Sequence, residues 1–192
     1  MEVAISTSLF SYSTIGAYSH NLNSDGATAT EDTAMTNALL SPHAQRTLTT
    51  WMAPETHNYK LNFDGATFVE DGTTGIGVVI RNDAGLVMAS LSQQISLPAS
   101  IIKVEALAAR RAMEFALELG FDNVTLEGDS EVLMKTLNAG GNTLAHYSNL
   151  IVDILFLTSL FSKVQFSFVR RRCNRLAHSL ARRASIIQQM SV

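Results

Sequence analysis

The chain has 192 residues, 46% of them hydrophobic and 16% charged, with a formal net charge of −3, which suffices for one well-buried domain with room for an appendage. No apolar run reaches the roughly 20 residues of a membrane-spanning helix; the nearest, LIVDILFLTSLF at 150–161, carries Asp153 and reads as a core helix. The lone Cys173 excludes an internal disulfide framework or a multi-cysteine zinc site and suits a reducing compartment.

Residues 1–50 are rich in Ser, Thr, Ala and Asn without a sustained apolar period, and read as a flexible leader. They lack the basic start and apolar core of a secretory signal, and Glu2, Asp25, Glu31 and Asp32 against Arg46 do not suit an organellar transit peptide. Localisation stays open, whether nuclear or cytoplasmic. From Trp51 the texture changes, and 51–192 reads as one domain. YKLNFDGATF at 59–68 alternates like a strand with one buried face, yet places Asp64, a residue strands avoid, on its polar side. Asp-Gly is also a common turn pair, but Ala66, Thr67 and Phe68 prolong the strand and EDGTTG just beyond is the better turn. Strands at 75–82 and 86–95 complete an antiparallel meander. There follow a helix at 101–119, a strand at 123–128, helices at 130–138 and 145–161, a strand at 163–169 and a helix at 173–188. That alternation implies parallel strands with helical crossovers, hence an α/β fold with a mixed sheet.

Glu105 is a second misfit. Stepping about 100° per residue puts Ile101, Ala108, Ala109, Ala112, Ala116 and Leu119 within about 60° of it, and Lys103, Arg110, Glu114 and Glu118 on the far side. Its carboxylate therefore points at the core, where it must be protonated, paired with a base or held by a metal. A buried ion pair competes with a functional role. Asp129, between the strand VTLEG and an amphipathic helix, is with Ser130 a candidate N-cap; it also ends a parallel strand, where open α/β sheets bind ligands. Asp64, Glu105 and Asp129 together form the oxygen donor set that a hard cation such as Mg²⁺ requires. The natural inference is two-metal phosphodiester hydrolysis.

After Asp153 there is no Asp or Glu, only Lys163, Arg170, Arg171, Arg172, Arg175, Arg182 and Arg183. A basic terminal segment suits nucleic acid, or a solvated helix face. On the last helix Leu176, Ala177, Leu180, Ala184 and Ile187 form the expected buried stripe, opposite Arg171, Arg175, His178 and Arg182. His178 reads as a polar-face residue, a phosphate contact or a metal ligand.

The succession KLNFDGA, GIGVVIRNDAG, VEALAARRAMEFALELG, VTLEGDSEVLMKTL and FSFVRRRCNRLAHSLARRA resembles the type 1 ribonuclease H domain, closest to the reverse-transcriptase-like form abundant in plant retroelements. The resemblance covers about residues 51–190, with WMAP as the lead-in. It implies a five-stranded sheet in order 3-2-1-4-5 flanked by helices. It further implies a monomeric, Mg²⁺-dependent (or Mn²⁺-dependent) endonuclease that hydrolyses the RNA strand of RNA–DNA hybrids, leaving a 3′-hydroxyl and a 5′-phosphate. Asp64, Glu105 and Asp129 match its metal-binding carboxylates, and His178 stands where it carries a fourth. Gly65, Ser130, Arg171, Asn174, Arg175 and Arg182 fall on or beside its nucleic-acid-binding segments.

The departures are specific. His178 replaces an aspartate four residues after Asn174, and imidazole is a poor Mg²⁺ ligand though an acceptable one for Mn²⁺. Phe168 stands in place of a histidine, and Glu70, Ile101 and Ile102 in place of hybrid-gripping asparagines. A non-catalytic, retroelement-derived nucleic-acid-binding module is therefore the alternative. A haloacid dehalogenase-type phosphotransferase is a third reading, weakened by Asn62 at the position of its nucleophile.

Overall fold

The computed structural model describes residues 50–141 and 146–187. The expected leader lies, but for Thr50, outside the described residues, as does the start of the helix expected from residue 145. Three antiparallel strands, β1 (Tyr59–Phe68), β2 (Thr73–Arg81) and β3 (Val87–Ser96), lead into helix α1 (Ile101–Glu118). Next come β4 (Asn123–Gly128), α2 (Glu131–Asn138), α3 (Ser148–Thr158), β5 (Lys163–Phe168), a 3₁₀ turn at Arg171–Cys173 and α4 (Arg175–Ile187). The sheet order is β3-β2-β1-β4-β5, as the resemblance implied, with β1–β4 and β4–β5 parallel and the rest antiparallel. Among the described residues no helix is long and apolar enough to cross a membrane.

The hydrophobic core lies between the sheet and α1 and α3. Leu61, Phe63, Ile76, Val78 and Ile80 meet Ala108, Ala109, Ala112 and Phe115, with Ile151 and Ile154 behind. The ends of the predicted stripe on α1 stay in solvent: Ile101 is 74% exposed and Leu119 40%.

Alternation along β1 identified which residues share a face, but the polar face is covered too. Asn62 and Asp64 are as fully buried as Leu61 and Phe63: α4 packs across β1, β2 and β3, and Glu127 and Arg81 bond to Asn62. The packing is close because both partners are small. A side chain at Gly77 would lie 2.2 Å from the backbone oxygen of Ala177, and one at Gly75 1.9 Å from that of Ala181. The stripe that α4 buries is accordingly Ala177, Ala181 and Ala184 rather than the expected leucines; Leu176 is exposed and Leu180 only half-buried.

Candidate active site

Asp64 sits in the middle of β1, and the Asp-Gly pair is no turn. Gly65 instead makes room for α1: a side chain there would lie 2.2 Å from Cγ1 of Val104. The close approach brings Glu105, the next residue of α1, over the strand. Asp129 follows the last residue of β4. Ser130 is the N-cap position of α2 but makes no side-chain capping bond, and Asp129 turns away from the helix toward the other two carboxylates. One carboxylate oxygen from each of Asp64, Glu105 and Asp129 lies within 4.8 Å of the others.

Each group is held differently. Asp64 Oδ1 accepts the backbone N–H of Gly65 at 2.9 Å, and its Oδ2 lies 2.6 Å from Nδ1 of His178. Asp129 accepts from Nδ2 of Asn174 at 3.2 Å and from Arg171 at 3.4 Å. Glu105 Oε2 is buried without a hydrogen-bond partner among the described residues. Burial, and then the charges of Asp64 and Asp129, push the Glu105 carboxyl up to about 8. Burial and the charge of Asp129 also raise Asp64, against the opposing hydrogen bond from His178. Two charges 4.8 Å apart repel by about 3.5 kcal/mol at an effective dielectric constant of about 20. The cluster stores that repulsion unless protons or a cation relieve it.

The remaining candidates separate into two groups. Arg171, Arg175 and Arg182 are exposed, and Arg171 leans on Asp129. His178 does not share their outward face: its side chain is 29% exposed and reaches Asp64. Nη2 of Arg171 also approaches Nδ1 of His178, at 3.0 Å. That nitrogen has one site for a proton, so a proton it gives to Asp64 leaves no acceptor for the arginine. Asn174 is 1% exposed, and its Nδ2 donates to the carbonyl of Phe63 at 2.7 Å as well as to Asp129, so it ties the start of α4 to β1. Gly65 likewise has a packing role. The sequence signals for these interactions were the glycine pair in GIG and the alanines of α4, which periodicity alone does not connect.

A polar groove of ≈ 640 Å³ opens on the face of β4 and β5, lined by Lys60, Glu127, Asn138 and Gln165 among others; none of the three clustered carboxylates lines it. The cluster stands outside that groove.

A mixed sheet in this order, with carboxylates at the parting of its central strands, defines a ribonuclease H-type domain. The chain belongs to the reverse transcriptase-like family, whose model matches residues 62–184. No curated protein matches it. Among solved structures it is similar to the RNase H1 of the halophilic archaeon Halobacterium salinarum, with 27% identity over 68% of this chain and 98% of that one, at a TM-score of 0.62. The N-terminal RNase H domain of rv2228c from Mycobacterium tuberculosis shares 21% identity, covering 70% and 99%, at 0.60. LC11-RNase H1 in complex with an RNA/DNA hybrid shares 22%, covering 69% and 99%, at 0.60.

Proposed function

We propose that the protein is a divalent-cation-dependent ribonuclease acting on the RNA strand of RNA–DNA hybrids. The observation that carries this reading is the meeting of three carboxylate oxygens within 4.8 Å, with Glu105 Oε2 left unpartnered among the described residues. That donor set fits a hard cation: all oxygen, with excess negative charge and a free lone pair. Asp64, Glu105 and Asp129 would hold Mg²⁺ or Mn²⁺. Such an ion supplies charge stabilisation to a phosphoryl oxygen and lowers the pKa of water.

The chain's own residues prepare the site. The Gly65 N–H and His178 fix both oxygens of Asp64, and Asn174 fixes Asp129. Exposed Arg171, Arg175 and Arg182 present guanidinium groups beside the cluster and along α4, suited to phosphate oxygens and blind to sequence. The similarity to RNase H1 proteins, including one complexed with an RNA/DNA hybrid, favours a hybrid over other duplexes.

One observation favours the non-catalytic module as a second reading. His178 and Arg171 already give Asp64 and Asp129 partners that compete with a cation. The deciding experiment offers labelled hybrid, double-stranded RNA and double-stranded DNA to the protein with Mg²⁺, with Mn²⁺ and with a chelator. Cleavage of the hybrid's RNA strand with cation alone is expected; binding without cleavage under every condition would select the module.

A further inference from the structure

The ladder between β1 and β4 ends at one pair, Asn62↔Glu127. Beyond it β1 stays with β2 as far as Phe68↔Thr73, and β4 stays with β5 as far as Gly128↔Phe168. The two central strands therefore part. Asp64 is two residues past Asn62 and Asp129 two past Glu127, one on each side of the opening.

The last rung is polar and buried: Asn62 is 0% exposed and Glu127 2%. Asn62 Nδ2 donates to Glu127 Oε2 at 3.0 Å, and its Oδ1 accepts from Arg81 Nη2 at 2.7 Å. Trp51 Nε1 donates to the same Glu127 oxygen at 3.1 Å, while Lys60 Nζ pairs with Oε1 at 2.8 Å. The Arg81 guanidinium lies over the Trp51 ring, 3.4 Å from its centroid, and Lys60 Nζ also donates to the carbonyl of Met52 at 2.8 Å. The lead-in and β1 thus converge on one carboxylate of β4, and β2 joins them through Arg81 on Asn62 and Trp51.

Stability alone does not call for this. An apolar pair of similar volume would hold two buried strands at least as well, since taking charges out of water costs about as much as their pairing returns. Directional bonds do what apolar contact cannot: they fix one position along the strand, where a slip of one residue is about 3.3 Å and reverses every side chain. We propose that Asn62 and Glu127, secured by Trp51, Arg81 and Lys60, form a register clamp that sets the width of the β1–β4 opening and thereby the spacing of Asp64 and Asp129. They are positioning residues for the cation site, and the proposal rests on the reading that Asp64 and Asp129 share a cation.

The test uses Asn62→Leu and Trp51→Phe in the full chain. Neither changes net charge, so weaker cation binding cannot come from diminished attraction, and Trp51→Phe keeps an aromatic ring under Arg81 should Asn62→Leu fold poorly. Without cation, hydrogen–deuterium exchange should accelerate in the segments around residues 62–64 and 127–129 while β2–β3 stays protected. Mn²⁺ affinity, read by paramagnetic resonance of the free ion, should fall about 10-fold or more, the usual effect of removing a residue that orients a ligand. Unchanged exchange in those segments, uniform acceleration across the sheet, or full Mn²⁺ affinity in both variants would overturn the clamp. Failure of the unmutated protein to bind Mn²⁺ would strike the cation reading alone, leaving the exchange pattern to decide whether the clamp sets the opening.

Discussion

Nδ1 of His178 lies 2.6 Å from Oδ2 of Asp64, joining residues 114 positions apart in the chain. An imidazole thus occupies one oxygen of the most deeply buried carboxylate in the cluster. His178→Asp exchanges that donor for a fourth carboxylate. Without cation the variant should be less stable by about 1–3 kcal/mol, the repulsion expected between partly exposed like charges. With Mg²⁺ it should bind the ion more tightly and cleave hybrid faster. Melting curves and cleavage rates with and without Mg²⁺ check both; unchanged Mg²⁺ activity would shift the limitation to the missing hybrid-gripping asparagines.

Asp64→Asn should abolish cleavage in either background. It also removes a charge from the crowded cluster, so the metal-free protein should melt no lower than the unmutated one, and added Mg²⁺ or Mn²⁺ should no longer raise the melting temperature. Calorimetry with titrated cation reads both effects, and a cation-dependent rise that survives the substitution would remove Asp64 from the site.

Glu105 should dominate the pH dependence of the metal-free protein. Its carboxyl titrates at about 8 when folded against 4.5 ordinarily, so between those values the native state holds the extra proton. Stability is then fully present below the unfolded value and falls as pH rises toward 8. Glu105→Gln should flatten that decline. Cation binding near pH 7 should release about one proton, visible as a dependence of titration heat on buffer. No proton release, with a flat profile in the unmutated protein, would contradict the buried, proton-holding role.

Replacing Arg175 and Arg182 with alanine should weaken hybrid binding and lower the slope of log affinity against log salt, by up to about 0.9 for each phosphate that the arginines neutralise. Arg171 is partly neutralised by Asp129 at 3.4 Å, so its removal should change the slope less and cation affinity more. Fluorescence anisotropy at several salt concentrations separates the two. An unchanged slope would make the stripe a solvated helix face.

Gly77→Ala should displace α4, because its added carbon would lie 2.2 Å from the Ala177 carbonyl. Overpacking of this kind costs about 1–3 kcal/mol. Its more telling effect would be to pull His178 away from Asp64, which the imidazole's nuclear magnetic resonance shifts would report even if the fold survives. Full retention of both stability and shifts would show that the seam has slack.

The two residues that broke their local patterns, Asp64 in a strand and Glu105 on an apolar helix face, were legible because period and propensity disagreed with composition at one position each. The element order was legible from alternation, helical period and turn residues, and every strand falls within two residues of its expected bounds. What covers a face was not. Alternation assigned Asn62 and Asp64 to one side of β1 but could not say that α4 would bury it, since that depends on glycines in β2 meeting alanines about 100 residues later. His178 was placed with the outward arginines for that reason: helical spacing groups it with them until its contact with Asp64 is known. The Asn62–Glu127 pair left no signal at all, because neither residue departs from its own strand's pattern.

α4 also fixes when the site can exist. Its ties to β1 run from Asn174 to Phe63 and from His178 to Asp64, across 111 and 114 residues, and it lies over the meander that begins the domain. Contacts of such sequence separation form late, after the entropy of closing a long loop has been overcome. During synthesis the meander emerges first and must wait, its glycine-lined polar face uncovered, until α4 has left the ribosome. For that interval the nascent chain has Asp64 but neither its imidazole neighbour nor the helix that covers its strand, and an exposed sheet face is open to mispairing and to chaperones.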